Sequence, residues 1–332
     1  MEKICVIGGG SWGTTLANLL IEKNNDVVIY DVSLDTVNEI NTYHTNISKL
    51  GDILLNQELT ATTNLKETLN HVDLVVIAIP TAFIRQTLKE INKLINKPIV
   101  FCNVSKGLEL KTHKRVSEIV NDEINSEYIK AYVVLSGPSH AEEVIQKKIT
   151  SIVSASKSRI YAKKIQELFS NEYFRIYTSS DVLSVELSGS LKNIFAIASG
   201  IVDGLGYGIN TKAALITRGL KEMKRIVTVY HGNTSTLNGL VGVGDLIVTC
   251  TTKLSRNYSC GVLIGKGLTI LEATNKINMV VEGIKTCKSA YNLSKENNLK
   301  TPIIDAIYNI LYNNVKPEVQ IKQLMSRKLI DE

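Results

Sequence analysis

The sequence lacks the cysteine and histidine patterns that mark disulfide frameworks and metal sites. Its five cysteines, Cys5, Cys102, Cys250, Cys260 and Cys287, form no C-x-x-C pair and are odd in number. Most of them have apolar or small neighbours, which predicts reduced thiols rather than disulfides. The five histidines show no H-x-x-x-H spacing, so we expect no metal site.

Clustered positive charge and long apolar runs are also missing. The chain has 332 residues and a formal net charge of +6, but its Lys and Arg residues are scattered, which argues against a nucleic-acid surface. We find no apolar run close to the roughly 18 residues needed to cross a bilayer. The short apolar stretch 4–7 runs into glycines and predicts a strand, not a signal segment. We therefore expect a cytoplasmic protein without a membrane span.

The first half of the chain alternates apolar runs with helical patterns. The predicted strands are 3–7, 26–30, 73–79, 98–104 and 131–135, and the predicted helices between them include 13–22, 82–95 and 112–124. Such alternation predicts a parallel sheet with right-handed crossovers. The fold class expected for this half is a Rossmann-type, doubly wound α/β sheet.

From about residue 181 helical spacing takes over. Residues 216, 220, 223 and 227 are apolar and fall on one face of a helix, as do residues 303, 304, 307 and 311. Thr301 and Pro302 predict an N-cap followed by proline at the first helical position. We therefore predict a dinucleotide-binding domain over 1–180 and an all-α substrate-binding and catalytic domain over 181–332.

A glycine-rich motif follows the first predicted strand. Gly8, Gly10 and Gly13 stand in the order G-x-G-x-x-G and open a helix, which is the context that a dinucleotide fingerprint requires. Gly8 permits a tight turn, Gly10 lets the backbone approach a pyrophosphate, and Gly13 lets the helix pack on the sheet. The N-terminus of the helix would hold the anion. The motif alone does not distinguish FAD from a nicotinamide cofactor.

An aspartate ends the second predicted strand. Asp31 lies eighteen residues after Gly13, where a carboxylate can accept hydrogen bonds from a ribose 2′-hydroxyl and repel a 2′-phosphate. This placement favours NAD(H) over NADP(H). The alternative is an aspartate in a solvent-facing turn.

Polar residues also follow the later strands, at the edge where ligands bind in open α/β sheets. Lys106 stands at the end of one strand, and Thr81 is the expected N-cap of the helix after another. Ser139 and Glu142 have the spacing of a capping box. The alternatives are a solvated lysine at 106 and a serine that only caps a helix at 139.

One lysine lies inside an apolar helical segment, 186–198. A buried ammonium is costly unless it is paired, and burial lowers its pKa toward values that suit proton transfer. Asp245 follows the glycine-rich run 239–244 and is a candidate partner for this lysine, Lys192. The alternatives are a lysine that reaches the surface and an aspartate that caps a turn.

The segment Ser255, Arg256, Asn257 sets a guanidinium fork beside a hydroxyl and an amide. This combination suits a phosphate group. The alternative is an exposed loop arginine.

Together these motifs resemble the NAD(P)-dependent glycerol-3-phosphate dehydrogenase family, in its bacterial type. The matching segments, in order, are 8–13, 105–108, 136–139, 191–193, 214–219, 244–246, 255–257 and 281–283. The resemblance implies a reversible, NAD(P)H-dependent reduction of dihydroxyacetone phosphate to sn-glycerol 3-phosphate for glycerophospholipid synthesis. It implies no metal and no nucleic-acid partner, and it is compatible with a homodimer.

The resemblance also implies roles for individual residues, with Lys192 as the group that exchanges the proton. The implied substrate contacts are Lys106, Gly137, Ser139, Lys192, Asp245, Ser255, Arg256 and Asn257. The implied cofactor contacts, beside Gly8, Gly10, Gly13 and Asp31, are Ser11, Trp12, Lys106, Ala141, Arg256, Val280 and Glu282. Bacterial members often carry a basic residue or histidine just past the second strand, and the acidic Asp31 in this chain favours NAD(H).

Two other functions remain as alternatives. A related two-domain dehydrogenase acting on a 3-hydroxy acid or phosphogluconate would share the Rossmann domain, the helices and a Lys-Asn pair. Residues 255–257 and the glycine-rich run before Asp245 argue against it. A non-catalytic NAD-sensing module would lack Lys192 or Asp245, and both are present.

Overall fold

The structure, a computed structural model, describes residues 2–329 and divides into two units. The first unit runs to Lys106 and resumes over Lys114–Glu186. The second unit takes Gly107–His113 and the chain from Leu187 onward.

The first unit is built on one sheet of eight strands. These are β1 (Lys3–Ile7), β2 (Asp26–Tyr30), β3 (Thr60–Thr62), β4 (Leu74–Ile77), β5 (Ile99–Asn103), β6 (Ile129–Ser136), β7 (Thr150–Ala155) and β8 (Phe174–Ser179). Their order is β3-β2-β1-β4-β5-β6-β7-β8. The strands from β3 to β6 pair in parallel, whereas β7 is antiparallel to β6 and parallel to β8.

Helices cover both faces of this sheet. They are α1 (Ser11–Ile21), α2 (Leu34–Tyr43), α3 (Ile47–Leu50), α4 (Leu65–Thr68), α5 (Thr81–Leu94), α6 (Val116–Glu123), α7 (Ala141–Val144) and α8 (Arg159–Phe169). Successive residues of a strand point to opposite faces. Ile4 and Val6 of β1 therefore join one apolar core, which includes Phe169, while Cys5 and Ile7 join the other.

The strand order reverses beside β1. The chain proceeds from β1 to β2 and β3 on one side, and then returns to place β4 on the other side of β1. In doubly wound sheets ligands bind outside the carboxyl ends of the strands at this reversal. The glycine-rich loop, residues 8–10, lies at this position because it directly follows β1.

The Rossmann-type sheet predicted from the sequence is confirmed, with corrections in detail. The five predicted strands pair in parallel, as expected. Strand β7 was not predicted and is antiparallel to β6, because residues 137–149 contain only the four-residue helix α7 and not a long helical crossover. The helix predicted over 112–124 begins at Val116. Helix α5 begins at Thr81, so Pro80 and not Thr81 stands at its N-cap.

The second unit contains helices and turns but no strand among its described residues. Its helices are α9 (Val182–Gly204, which starts in the first unit), α10 (Ile209–Val229), α11 (Asp245–Thr251), α12 (Arg256–Gly265), α13 (Ile270–Ile277), α14 (Glu282–Glu296), α15 (Pro302–Tyr312) and α16 (Pro317–Met325). A 3₁₀ turn over Thr234–Asn238 and a π-helical turn over Leu240–Gly244 precede α11. This agrees with the all-α second half predicted from the sequence.

Helix α15 has Thr301 at its N-cap position and Pro302 as its first residue, as predicted, but its capping hydrogen bonds go to another residue. The Thr301 side chain makes no capping hydrogen bond. The buried Glu222 carboxylate of α10 instead accepts hydrogen bonds from the N–H groups of Ile303 at 2.7 Å and Ile304 at 3.1 Å. Burial raises the pKa of Glu222 to about 8, although these two hydrogen bonds act in the opposite direction.

Helix α9 is long and apolar enough, by length and composition, to cross a membrane. This helix contains Glu186 and Lys192, so it is not an uninterrupted apolar run of the kind that was sought in the sequence. The apolar window of α9 is 100% buried inside the protein, as in the core helix of a globular domain. Length and composition of one such helix are weak evidence for a membrane span.

Candidate active site

Helix α9 brings Lys192 into the interior of the second unit. Small and apolar residues surround this position on the helix, and the segment packs on all sides. Lys192 itself is only 6% exposed. The predicted burial of this ammonium is confirmed, so the charge needs a partner inside the protein.

Two side chains of α11 meet the Lys192 ammonium. Nζ donates to Oδ1 of Asp245, which is fully buried, and to Oγ1 of Thr249 at 2.7 Å. The Thr249 hydroxyl donates in turn to the Asp245 backbone carbonyl at 2.5 Å. The predicted pairing of Lys192 with Asp245 is confirmed. Thr249 was missed, although its spacing of four residues from Asp245 places both on one helix face.

The glycine-rich run before Asp245 is a π-helical turn and not an open loop. A Cβ on Gly242 would lie 1.9 Å from the Leu237 carbonyl oxygen, so only glycine allows this tight contact. Ser188 of α9 donates to the Val241 carbonyl at 2.5 Å. These contacts hold the start of α11, and therefore Asp245, next to α9.

Close packing of α9 against α12 determines where the first residues of α12 lie. Gly200 and Gly204 of α9 meet Gly261 and Gly265 of α12, and a Cβ on any of the four would come within 2.0 to 2.4 Å of a backbone oxygen on the other helix. The two helices therefore approach at backbone contact distance. This contact fixes the distance between α9 and the residues at the start of α12.

The three residues predicted to grip a phosphate point in different directions. Ser255 is the N-cap of α12 and accepts a hydrogen bond from the Tyr258 N–H at 3.2 Å. Arg256 is exposed at the first helical position. Asn257 is buried: its amide donates to Asn193 Oδ1 at 3.0 Å and accepts from the Gly283 N–H at 2.9 Å. Of the three side chains, Arg256 is the one that faces solvent.

The glycine fingerprint of the first unit has the geometry of a dinucleotide loop. Gly8 has φ of +111°, a value that L side chains rarely adopt. A Cβ on Gly13 would lie 2.0 Å from the Gly8 carbonyl oxygen, whereas a Cβ on Gly10 would meet nothing within 4 Å. The loop is thus closed on its inner side and open at Gly10, as the backbone approach of a pyrophosphate requires.

Asp31 binds the backbone of this same loop. Its Oδ2 accepts a hydrogen bond from the Gly9 N–H at 2.6 Å, and its Oδ1 accepts one from the Ser33 N–H at 2.8 Å. Each carboxylate oxygen has a further lone pair for a second donor. Asp31 is therefore anchored beside the fingerprint rather than free in a turn.

The loops after β5 and β6 bring three predicted substrate contacts together. Lys106 Nζ donates to the Gly137 carbonyl at 3.1 Å, and Ser139 Oγ donates to the same oxygen at 3.1 Å. Gly137 has φ of +149°, and a Cβ there would lie 2.9 Å from Ile152 Cα. The predicted capping box was wrong, because His140 occupies the N-cap of the short helix α7 and Ser139 bonds elsewhere.

The remaining predicted cofactor contacts are spread over the two units. Ser11 donates to the Lys49 carbonyl at 3.1 Å, and the Trp12 ring lies 6.3 Å from the Phe174 ring. Ala141 is the first residue of α7 and is buried. In the second unit, the exposed Val280 precedes α14, whose first residue is Glu282.

A second buried charge at the start of α9 was missed in the sequence. Glu186 accepts hydrogen bonds from Arg115 at 3.0 Å, from the Ser117 hydroxyl at 2.5 Å and from the Tyr132 hydroxyl at 2.5 Å. Burial raises the pKa of Glu186, and the Arg115 guanidinium only partly opposes this. Burial and the Glu186 carboxylate raise the pKa of Tyr132 well above its usual value. The cluster ties the first turn of α9 to α6 and β6.

Within residues 2–329 no group of three or more His, Cys, Asp or Glu side chains could hold a metal ion.

Comparison with known proteins covers almost the whole chain. A family model for the N-terminus of NAD-dependent glycerol-3-phosphate dehydrogenase matches residues 3–162, and one for the C-terminus matches residues 181–322. Glycerol-3-phosphate dehydrogenase (NAD(P)+) of Bacillus subtilis is 46% identical over 98% of this chain and 95% of its own length. The enzyme of the same name from Macrococcus caseolyticus is 45% identical over 100% of both chains.

Solved structures agree with these matches. The crystal structure of glycerol-3-phosphate dehydrogenase from Coxiella burnetii superposes with a TM-score of 0.93 at 34% identity, covering 98% of each chain. The glycerol-3-phosphate dehydrogenase of Plasmodium falciparum superposes with a TM-score of 0.89 at 26% identity, covering 99% of this chain and 97% of its own. The chain belongs to the NAD-dependent glycerol-3-phosphate dehydrogenase family.

Proposed function

We propose that this protein catalyses the reversible, NAD(P)H-dependent reduction of dihydroxyacetone phosphate to sn-glycerol 3-phosphate, a precursor for glycerophospholipid synthesis. The observation that carries the proposal is the buried Lys192 ammonium, held by Asp245 and Thr249 in a chain of this family. A non-catalytic nucleotide-binding protein would have no need of a buried, paired ammonium in its second unit.

The nicotinamide cofactor would bind at the glycine fingerprint. The backbone from Gly8 to Gly13 and the N-terminus of α1 would hold its phosphates, and Asp31 would lie near the adenosine ribose. Ser11, Trp12, Lys106, Ala141, Arg256, Val280 and Glu282 are the further contacts that we propose. The bound cofactor supplies a hydride to the substrate carbon.

Lys192 would exchange a proton with the substrate oxygen. As the ketone is reduced its oxygen gains negative charge, and an ammonium can stabilise this charge and then donate a proton. Asp245 and Thr249 would keep Nζ in one position, so no reorganisation is needed at the moment of transfer. In the reverse direction the neutral amine would accept the proton of the alcohol.

The substrate phosphate would bind at the start of α12. Arg256 is the exposed cation there, and the first N–H groups of the helix add a partial positive charge. Ser255 and Asn257 would contribute through their backbone, since their side chains already bond Tyr258, Asn193 and Gly283. Lys106, Gly137 and Ser139 complete the proposed substrate contacts. Binding energy from the phosphate would help to place the reacting carbon.

Domain roles, location and assembly are part of the same proposal. We assign cofactor binding to residues 1–180, and substrate binding and proton transfer to residues 181–332. Five separate, buried thiols fit a reducing compartment such as the cytoplasm. The family resemblance is compatible with a homodimer. Sedimentation of the purified chain measures its oligomeric state.

The deciding experiment mixes the purified protein with dihydroxyacetone phosphate and NADH or NADPH, and follows the absorbance of the reduced nicotinamide. We expect oxidation of the cofactor and formation of sn-glycerol 3-phosphate in equal amounts. Parallel assays in the oxidative direction, with 6-phosphogluconate and a 3-hydroxy acid plus NAD+ or NADP+, serve as controls. Failure to oxidise either cofactor above background, or a faster reaction with a control substrate, would overturn the proposal.

A further inference from the structure

We propose that Asn46 is a positioning residue for the cofactor phosphates, because it fixes the direction of the peptide between Gly9 and Gly10. The inference rests on the cofactor binding proposed above. It concerns a residue that lies outside the fingerprint, in the segment between α2 and α3.

Three successive glycines leave the loop after β1 without side chains to restrain it. Glycine adopts many backbone conformations, so a peptide between two glycines rotates more easily than one between other residues. The direction of that peptide decides what a bound phosphate meets. An N–H directed outward would bind the phosphate, whereas a carbonyl oxygen directed outward would repel it.

Asn46 holds the carbonyl end of this peptide. Its Nδ2 donates to the Gly9 carbonyl oxygen at 2.9 Å and lies 2.9 Å from Thr14 Oγ1, and the residue is completely buried. A trans peptide is planar, and its N–H points opposite to its C=O. Because the Gly9 carbonyl faces Asn46, the Gly10 N–H faces away from Asn46. Space is open at Gly10, where an added Cβ would meet nothing within 4 Å.

Asp31 fixes the preceding peptide, between Gly8 and Gly9, through the N–H of that peptide. The Gly9 N–H donates to Asp31 Oδ2 at 2.6 Å, so Gly9 is held by an acceptor at its nitrogen and by a donor at its oxygen. The two side chains together determine the orientation of two consecutive peptides. The loop is thereby arranged for an anion before any anion arrives, which reduces the entropy lost on binding.

The surroundings of Asn46 support a specific need for its amide nitrogen. The Asn46 carbonyl accepts from the N–H groups of Lys49 at 3.0 Å and Leu50 at 2.8 Å, which anchors the residue to α3. Its side-chain Oδ1, by contrast, is buried without a hydrogen-bond partner among the described residues. A buried polar atom without a partner is destabilising. An unpaired Oδ1 is expected where the Nδ2 of the same side-chain amide makes the required contact, here with the Gly9 carbonyl.

The test compares Asn46→Ala with Asn18→Ala. Asn18 is also buried and joins α1 to the segment after α3, by accepting from the Asn56 N–H at 2.7 Å. Its side-chain amide donates to Glu22 and not to the glycine loop. The single tryptophan of the chain, Trp12, lies in the first turn of α1, so quenching of its fluorescence by NADH reports binding without turnover.

We expect Asn46→Ala to raise the dissociation constant and the KM for NADH by about 10- to 100-fold, with kcat at saturating NADH changed less than about threefold. Asn46→Asp should weaken NADH binding further, because a carboxylate cannot donate to the Gly9 carbonyl and adds a negative charge near the phosphates. Asn18→Ala should lower the melting temperature while the affinity for NADH stays within about twofold.

Several results would overturn the inference. NADH affinity in Asn46→Ala equal to that of the unaltered protein would do so while leaving the proposed function intact. Equal weakening in both alanine variants, in proportion to their loss of thermal stability, would show a purely structural role for Asn46. Absence of NADH and NADPH binding in the unaltered protein would overturn the proposed function and this inference together.

Discussion

Lys192 and Asp245 form an ion pair whose side chains are only 8% and 0% exposed. Buried ion pairs add little net stability compared with apolar packing, but removal of one partner leaves a buried charge at a penalty of about 3–5 kcal/mol. The pair is therefore poorly explained as a device for stability. It is well explained as a way to hold an ammonium at a fixed point for proton transfer.

Replacement of Lys192 by alanine should reduce turnover by about two to four orders of magnitude, because the proton donor is lost. Lys192 is not one of the proposed cofactor contacts, so NADH should still quench Trp12 fluorescence with unchanged affinity. Steady-state kinetics and fluorescence titration measure the two effects. Turnover close to that of the unaltered protein would remove Lys192 from the chemistry.

Single and double substitutions of the ion pair should be strongly non-additive. Asp245→Asn leaves the Lys192 ammonium without its carboxylate and should lower the free energy of unfolding by about 3–5 kcal/mol. The double variant Lys192→Met, Asp245→Asn removes both charges and should recover part of this loss. Urea denaturation gives the free energy of unfolding of the unaltered protein, of Lys192→Met, of Asp245→Asn and of the double variant, and these four values form a double-mutant cycle. Additive losses would mean that the two groups do not interact across the buried contact.

Cofactor choice should follow the charge of Asp31. We expect kcat/KM to be higher with NADH than with NADPH, since the carboxylate would repel a 2′-phosphate. Asp31→Asn keeps an acceptor for the Gly9 N–H but loses the charge, and should raise the NADPH-to-NADH ratio by about tenfold. A preference for NADPH in the unaltered protein would show that Asp31 does not face the 2′ position.

Stability should fall with rising pH because of Glu222. Its pKa is about 8 in the folded protein against 4.5 as the ordinary value, so the folded state binds more protons between these pH values. Stability from this group is complete below about pH 4.5 and is lost as the pH rises through 8, by up to about 1.4 kcal/mol per pH unit.

Glu222→Gln isolates this contribution. The amide does not titrate and keeps one acceptor oxygen, so it can accept from only one of the two N–H groups, of Ile303 or Ile304, which lowers stability equally at every pH. Urea denaturation at several values between pH 5 and pH 8 should give a flatter pH dependence for the variant. Parallel curves for the two proteins would show that Glu222 does not carry the effect.

The contact between α9 and α12 should not tolerate a methyl group. An alanine Cβ at Gly261 would lie 2.2 Å from the Ile197 carbonyl oxygen, so Gly261→Ala should separate the helices and cost about 1–3 kcal/mol. Gly208→Ala is the matched control, because a Cβ there meets nothing within 4 Å, and should cost less than about 1 kcal/mol. Similar melting temperatures for the two variants would contradict the close approach.

Much of the first unit could be predicted because its signals are local. The strands at Lys3–Ile7 and Asp26–Tyr30 were predicted at their observed bounds, since a buried strand bounded by turn residues leaves its pattern in the strand itself. The antiparallel strand Thr150–Ala155 was not predicted, because its pairing with β6 depends on how the chain turns after Ser136. No periodic pattern in the strand encodes that direction.

Side-chain partners were predicted less completely than backbone elements. Thr301 stands at the N-cap position of α15 as predicted, but its side chain makes no capping hydrogen bond. Glu222, which is 81 residues before Ile303 in the chain, accepts from the Ile303 N–H instead. Ser139 was expected to cap α7 and instead bonds the Gly137 carbonyl. Local spacing identifies residues that are able to cap, whereas the fold decides which acceptor reaches the free N–H groups.

The sequence by itself determined the glycine turn, the alternation of strands and helices, and the presence of one lysine in an apolar helix, because each depends on residues within a few positions of one another. The sequence offered Asp245, 53 residues away, as a candidate partner for Lys192, and the tertiary structure decided that the two do pair and that Thr249 lies beside them. The tertiary structure also decided that Asn257 turns inward to Asn193 while Arg256 faces out. Such contacts depend on how whole helices pack, and short-range patterns in a chain do not carry that information.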